Sequence, residues 1–219
     1  MDKKELQNPA LYTNRELSWL LFNKRVLSEA RDKQLLLFER LKFLSITASN
    51  LDEFFMVRIG SLVDMIHAEY TKKDIAGMSA KEQLDALMEE THKFAALQYS
   101  TYNRMLLPQL RANGLNFVEH HEQLTERQAQ YVDEYFEENV YPVLTPMAVD
   151  SSRPFPLIRN KTLNIGALVA KKGEKDTEIE FATVQVPSVL PRVVRIPAAK
   201  EGDTEAVSYT HLRAHETPE

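Results

Sequence analysis

Apolar residues recur at Leu37, Leu41, Leu44, Ala48, Leu51, Phe55, Ile59, Leu62 and Ile66, in steps of four, three, four, three, four, four, three and four. That is the period of one helix face, held for about eight turns. A second row, Phe43, Ile46, Phe54 and Val57, runs beside the first. Together they make an apolar arc wide enough to need cover from other elements. Asn50 interrupts the second row where an apolar side chain is expected. An amide half inside a core needs partners for its donors and acceptor, and a position that breaks its own pattern is often a functional one. The unbroken stripe favours a single helix over residues 35–66, kinked at Gly60-Ser61. The alternative is a break at residues 48–50. Ser49 followed three residues later by Asp52 also reads as an N-cap with an acidic first turn, and free backbone N–H groups there would suit an anion.

The flanking patterns predict two more helices. Thr13 with Glu16 forms a capping box, Tyr12 and Leu17 can staple it, and the apolar face runs from Leu17 to Ala30. A loop with Asp74 and Gly77 leads to a helix from about Ala80. Its expected inner face is Leu84, Leu87, Met88, Phe94, Ala95, Tyr102, Met105 and Leu106. Pro108 ends or kinks that helix, and Gly114 suits the residue after a helix end. Three long helices with short connections predict an antiparallel bundle over residues 1–113. After that the pattern changes. A short strand is expected at 116–118, a helix capped by Thr125 and Gln128 over 126–139, and strands at 162–170, 179–186 and 192–196 among frequent prolines. Lys171-Lys172-Gly173 would form the turn between the first two of these. The expected fold is α+β: a helical domain to residue 113, an incomplete α+β domain over 114–207, and a polar, unpatterned tail over 208–219.

Composition narrows the chemistry. The chain lacks cysteine, which removes disulfides, thiolate metal sites and a Cys nucleophile and fits a reducing compartment. A net charge of −5 gives no general attraction to nucleic acid or an anionic membrane. No run approaches the roughly 18 apolar residues of a membrane span, and residues 1–10 carry no signal-peptide core. The expectation is a soluble, cytoplasmic protein.

Motifs for chemistry are sparse. The six glycines are scattered, and no phosphate-binding glycine loop exists. His67, His92, His120 and His121 form no metal-ligand spacing. Asp52 and Glu53 could serve as acid and base, or simply as helix-surface carboxylates. Arg15, Lys24, Arg25, Arg40, Lys42 and Arg58 could converge on a polyanion, or lie on solvated faces. Trp19 reads as core before stacking platform.

Three strings in the first half stand out: Tyr12-Thr13-Asn14-Arg15-Glu16-Leu17-Ser18-Trp19-Leu20, Glu39-Arg40-Leu41-Lys42-Phe43-Leu44 and Ser49-Asn50-Leu51-Asp52-Glu53-Phe54-Phe55-Met56-Val57-Arg58. Together they resemble the N-terminal domain of bacterial polyphosphate kinase of the phosphohistidine type. Tyr141-Pro142-Val143-Leu144-Thr145-Pro146-Met147-Ala148-Val149-Asp150, Arg153-Pro154-Phe155-Pro156 and Val186-Pro187-Ser188-Val189-Leu190-Pro191-Arg192 resemble the start of its head domain.

The resemblance implies a parent enzyme that transfers the terminal phosphate of ATP reversibly to polyphosphate. It would act through histidine, with Mg2+ held by ligands outside this chain, and form a homo-oligomer through the head domain. By position, Asn50 matches the family's ATP-binding asparagine. No histidine here matches the catalytic motif, so the chain is expected to be a truncated and inactive product whose tail departs from the family. The rival expectation is a non-catalytic helical interaction module with an α+β partner domain.

Overall fold

The computed structural model describes residues 5–118, 120–149, 155–170, 180–199 and 204–208. The expected turn at 171–173, the Arg153-Pro154 step and the tail from residue 209 lie outside them. The chain divides into two compact units, Met1–Asn113 and Gly114–Glu219.

The first unit is helical. Helix α1 (Arg15–Arg31) is capped by Asn14, whose Oδ1 accepts from the backbone N–H groups of Glu16 (3.0 Å) and Leu17 (2.9 Å). The expected Thr13 cap is therefore replaced by its neighbour. Asn14 can do more than a hydroxyl: its Nδ2 also donates to Asp74 (2.7 Å) and Gln83 (2.8 Å), tying the helix start to the 70s loop and to α4. The Glu16 carboxylate, free of capping duty, turns to Arg15 and Arg58.

Helices α2 (Leu37–Phe54) and α3 (Gly60–His67) form one run joined by a π-helical turn, Phe55–Ile59. The continuous reading holds and no cap forms at Ser49, but the irregularity lies before Gly60-Ser61, not at it. Helix α4 (Ala80–Thr101) starts on a capping box of Ser79 and Glu82. A second π-helical turn, Tyr102–Leu106, joins it to α5 (Leu107–Ala112). Pro108 has no N–H to give, and its ring crowds the carbonyl four residues back, so the wider turn forms just ahead of it. Gly114 follows with φ +76°, a left-handed conformation natural to glycine.

Cross-links between side chains and backbone set the directions. Arg40 meets Ala30, and Trp19 meets Phe54, so α1 and α2 are antiparallel. Asn14 meets Gln83 and Arg31 meets Thr101, so α1 and α4 run parallel in an up-down-up bundle. One core cluster holds Leu20, Phe54, Ile59, Leu62, Ala80 and Leu87; another holds Leu27, Ala30 and Phe94. The buried stripe of α4 passes through Gln83, Leu87, Thr91 and Phe94, whereas Met88 and Ala95 are only half-buried. Thr91 is accommodated because its hydroxyl donates within the helix to Leu87 and Met88 carbonyls.

Arg40, expected on a solvated face, is 2% exposed. Its Nε donates to the Ala30 carbonyl (3.0 Å) near the end of α1, and its Nη1 to Gln109 (2.8 Å). Its Nη2 is buried without a partner. The negative end of the α1 dipole is the main electrostatic support for this charge.

The second unit is α+β. Helix α6 (Glu126–Tyr135) carries the expected Thr125–Gln128 capping box and ends in a third π-helical turn, Phe136–Val140. One sheet has the order β1 (Leu115–Val118), β6 (Thr204–Ser208), β5 (Val193–Ile196), with β1 and β6 parallel and β5 and β6 antiparallel. The other is antiparallel: β2 (Thr145–Val149), β4 (Glu180–Gln185), β3 (Asn164–Val169). The core of this unit is Val132, Val140, Val186, Leu190, Val194 and Ile196. Gln128 Nε2 donates to the Pro197 carbonyl (2.7 Å) and to the buried Glu205 carboxylate, so one amide joins α6 to the β5–β6 connection. Strands β2 and β6 are additions to the expected set.

Candidate functional site

Asn50 stands on α2 facing α1, half-buried. Its partner is Asn23, which is 0% exposed. Asn23 Nδ2 donates to the Thr47 backbone carbonyl (3.1 Å), and Asn50 Nδ2 donates to Asn23 Oδ1 (3.1 Å). Thr47 is itself held: its hydroxyl donates to the Leu44 carbonyl (2.7 Å) and accepts from Gln98 Nε2 of α4 (3.0 Å). All three helices thus contribute to one polar thread, its buried groups paired as buried polar groups must be.

The thread ends at a pocket of about 250 Å³ lined by Trp19, Phe22, Asn50, Glu53, Phe54, Val57 and Arg58. Trp19 stacks on Phe54, with ring centres 4.4 Å apart and planes 10° from parallel, so it serves the core and the pocket wall together. Phe22 and Val57 are half exposed, an unusual state for large apolar side chains flanking a core. Arg58 comes from the π-helical turn. Its Nε lies 3.8 Å from Glu16, which Arg15 also grips at 2.7 Å. The Glu16 side chain is nearly buried, whereas Arg58 is about half exposed, so the carboxylate anchors an arginine that still reaches solvent. The Arg25 guanidinium sits 6.0 Å from the centre of the Phe22 ring. The pocket therefore offers an aromatic and aliphatic wall, an amide oxygen with no partner among the described residues, and one acidic and one basic lining side chain, Glu53 and Arg58. That combination suits a flat ring with polar edges.

Other sequence candidates disperse. Asp52 lines a separate, mainly apolar groove of about 400 Å³ between α2 and α4, with Leu44, Ala48, Leu51 and Tyr99. Glu53 lines the Asn50 pocket. Lys24 borders a third hollow of about 270 Å³ between α1 and α4. Lys42 pairs loosely with Glu39 at 4.0 Å, and Arg40 is internal. Among the described residues no group of three or more acidic or histidine side chains could hold a metal ion. The shifted titrations lie elsewhere: Lys93 is pushed well above its ordinary range by the hydrogen bonds it donates to Glu89 and then to Glu90, and both partners are solvent-exposed. Sequence reasoning missed Asn23. It falls at a helical position that a lone polar residue normally gives to solvent, and its role appears only when α2 is laid against it.

Residues 12–118 match the model of the polyphosphate kinase N-terminal domain, and residues 127–214 that of the polyphosphate kinase middle domain. The chain belongs to the polyphosphate kinase family. It is 53% identical over 188 residues to polyphosphate kinase of Lactiplantibacillus plantarum, covering 86% of this chain and 26% of that protein. Against polyphosphate kinase of Bacillus anthracis the identity is 44% over 196 residues, covering 88% and 28%. The crystal structure of polyphosphate kinase from Porphyromonas gingivalis superposes with a TM-score of 0.77 at 28% identity, over 91% of this chain and 29% of that one. The chain thus spans about a quarter of the length of its polyphosphate kinase relatives, and in it corresponds to the N-terminal and middle domains. This family membership outweighs the alternative of an unrelated interaction module. No helix among the described residues is long and apolar enough to cross a membrane.

Proposed function

We propose that this chain supplies the nucleotide-contacting part of an ATP–polyphosphate phosphotransferase, with Asn50 touching the adenine side of ATP. The observation that carries this is the amide of Asn50, held from below by Asn23 and lacking a partner for its oxygen, in a pocket with aromatic walls and Arg58 at its edge. Residues 1–113 would act as the nucleotide-contacting domain and 114–207 as part of the head domain. Phosphoryl transfer, with Mg2+ neutralising phosphate charge, would need groups that the longer relatives supply. Assembly into a homo-oligomer through the head domain and a cytoplasmic site of action complete the reading.

The test has two arms. Trp19 is the single tryptophan of the chain and lines the pocket, so its fluorescence reports on occupancy directly. ATP should quench it saturably, and Asn50→Ala should weaken the effect by roughly tenfold, equivalent to about 1.4 kcal/mol. Incubation with radiolabelled ATP and magnesium should give neither acid-labile label on the protein nor polymer. Unchanged Trp19 emission would refute the nucleotide assignment, and labelled protein would refute the expected inactivity.

A further inference from the structure

We propose that Asn23, which does not line the pocket, is a positioning residue that sets base preference by fixing which way round the Asn50 amide sits; this rests on the nucleotide reading of that pocket. The orientation follows from the hydrogen-bond chemistry. The Thr47 carbonyl can only accept, so Asn23 must present its NH2 group there and its oxygen toward Asn50. That oxygen in turn can only accept, so Asn50 must present its NH2 group to Asn23. The Asn50 oxygen, together with the second N–H of its NH2 group, is what remains for a ligand, and the oxygen has no competing partner among the described residues.

A fixed acceptor discriminates between bases. The 6-amino group of adenine donates to it, whereas the 6-oxo group of hypoxanthine or guanine places oxygen against oxygen. A site built to hydrogen-bond one group rejects the analogue lacking it. Without Asn23 the Asn50 amide has no reason to prefer one orientation, and by turning over it can donate to a 6-oxo group instead.

The experiment titrates the full chain with ATP and with inosine triphosphate, following Trp19 fluorescence. The intact chain should bind ATP about tenfold more tightly. In Asn23→Ala the ratio should fall toward one. Asn23→Asp is the discriminating variant: buried at this site the carboxyl takes up a proton, donates through it to Thr47, and still offers an oxygen to Asn50, so the preference for ATP should survive. Asn23→Ser replaces the alanine variant should that one fail to melt cooperatively. An intact chain that binds both nucleotides equally overturns the proposal, as does an alanine variant that loses affinity for both alike, or an aspartate variant that loses the preference. Absence of quenching by either nucleotide in the intact chain removes the site assignment itself, and the proposal with it.

Discussion

Truncating Asn50 to alanine should destabilise the helical unit, because the residue is part of the polar thread as well as of the pocket. The change leaves Asn23 Oδ1, on a fully buried residue, without its donor. An unpaired buried acceptor costs about 1–3 kcal/mol. Alanine returns about 0.5 kcal/mol through better helix propensity, and the emptied side-chain volume opens onto the pocket, where water can partly replace the lost donor. The net expectation is a loss of about 1 kcal/mol, or roughly 4–8 °C in melting temperature for a unit of this size. The assay is thermal and urea unfolding followed by far-ultraviolet circular dichroism and Trp19 emission. Asn50→Asp sharpens it. Its carboxylate would face the Asn23 oxygen, raising the folded-state pKa above the unfolded value. A raised pKa contributes stability fully present below the unfolded value of about 4 and lost as pH rises through the folded one. Relative to the unmodified chain, Asn50→Asp should therefore be weakest near neutrality and recover on acidification, where the protonated carboxyl donates as the amide did. Wild-type melting of Asn50→Ala, or no pH dependence in the aspartate difference, would show that Asn50 does not donate to Asn23.

Arg40→Met should leave stability within about 1 kcal/mol of the unmodified chain, because two charge-assisted hydrogen bonds are exchanged for release from burying a charge that no carboxylate among the described residues balances; Arg40→Ala adds a cavity and should cost about 2–4 kcal/mol, and equal losses in the two urea curves would contradict this. Ser79→Ala should cost about 1 kcal/mol at neutral pH through loss of the α4 cap. The Glu82 carboxyl in that box is held below its ordinary range chiefly by the Ser79 backbone N–H, then by its hydroxyl and Lys73. A lowered pKa means stabilisation present above the unfolded value and lost as pH falls through the folded one, so the gap between the two melting curves should narrow in acid; a gap that widens would count against the box. Gly166→Ala in β3 would place its Cβ 2.9 Å from the Phe181 ring, itself stacked on Phe155; hydrogen exchange should show weaker protection along β3 and β4 despite alanine's lower backbone entropy cost, and stronger protection would show that the ring yields freely.

The sequence was most readable where one signal outweighed the others. An apolar row sustained from Leu37 to Ile66 predicts a continuous helical run because no polar residue in it offers a better alternative, and the candidate cap at Ser49 cannot compete with burial on both sides. The same period could not show which polar residues lie inside. Arg40 and Asn23 each place a donor on a backbone carbonyl of a neighbouring helix, contacts that only the packed bundle reveals. Asn14 displaced Thr13 as the cap for the same reason, since its amide also serves two residues about 60 to 70 positions away. In the second unit, Pro146 conceals β2: a proline within a short run argues against a strand, yet β2 is an edge and tolerates it. Strand β6 is central in its sheet, but its Glu205 is buried by a bond from Gln128, so the expected hydrophobic alternation is absent. For the pocket, the interrupted row marked Asn50, while the unpaired state of its oxygen required coordinates.

The π-helical turn at Phe55–Ile59 holds one more residue than an α-turn would, and it coincides with the two consecutive four-residue steps of the apolar row, Leu51 to Phe55 to Ile59. Each α-helical residue advances the side-chain azimuth by about 100°. In a regular helix the eight residues from Leu51 to Ile59 would advance about 800°, setting the two roughly 80° apart and turning Leu62 and Ile66 away from the cluster they share with Leu20 and Phe54; the wider turn takes up the surplus residue without that rotation. The turn is therefore a phase adjuster. The two halves of the run keep a common inward direction because the wider turn absorbs the surplus residue, and Arg58, inside that turn, lies beside Glu16 and the pocket where it is absorbed. A further residue inserted in this stretch should be far less tolerated than loss of the surplus one, which would leave a regular helix with its apolar row still in phase.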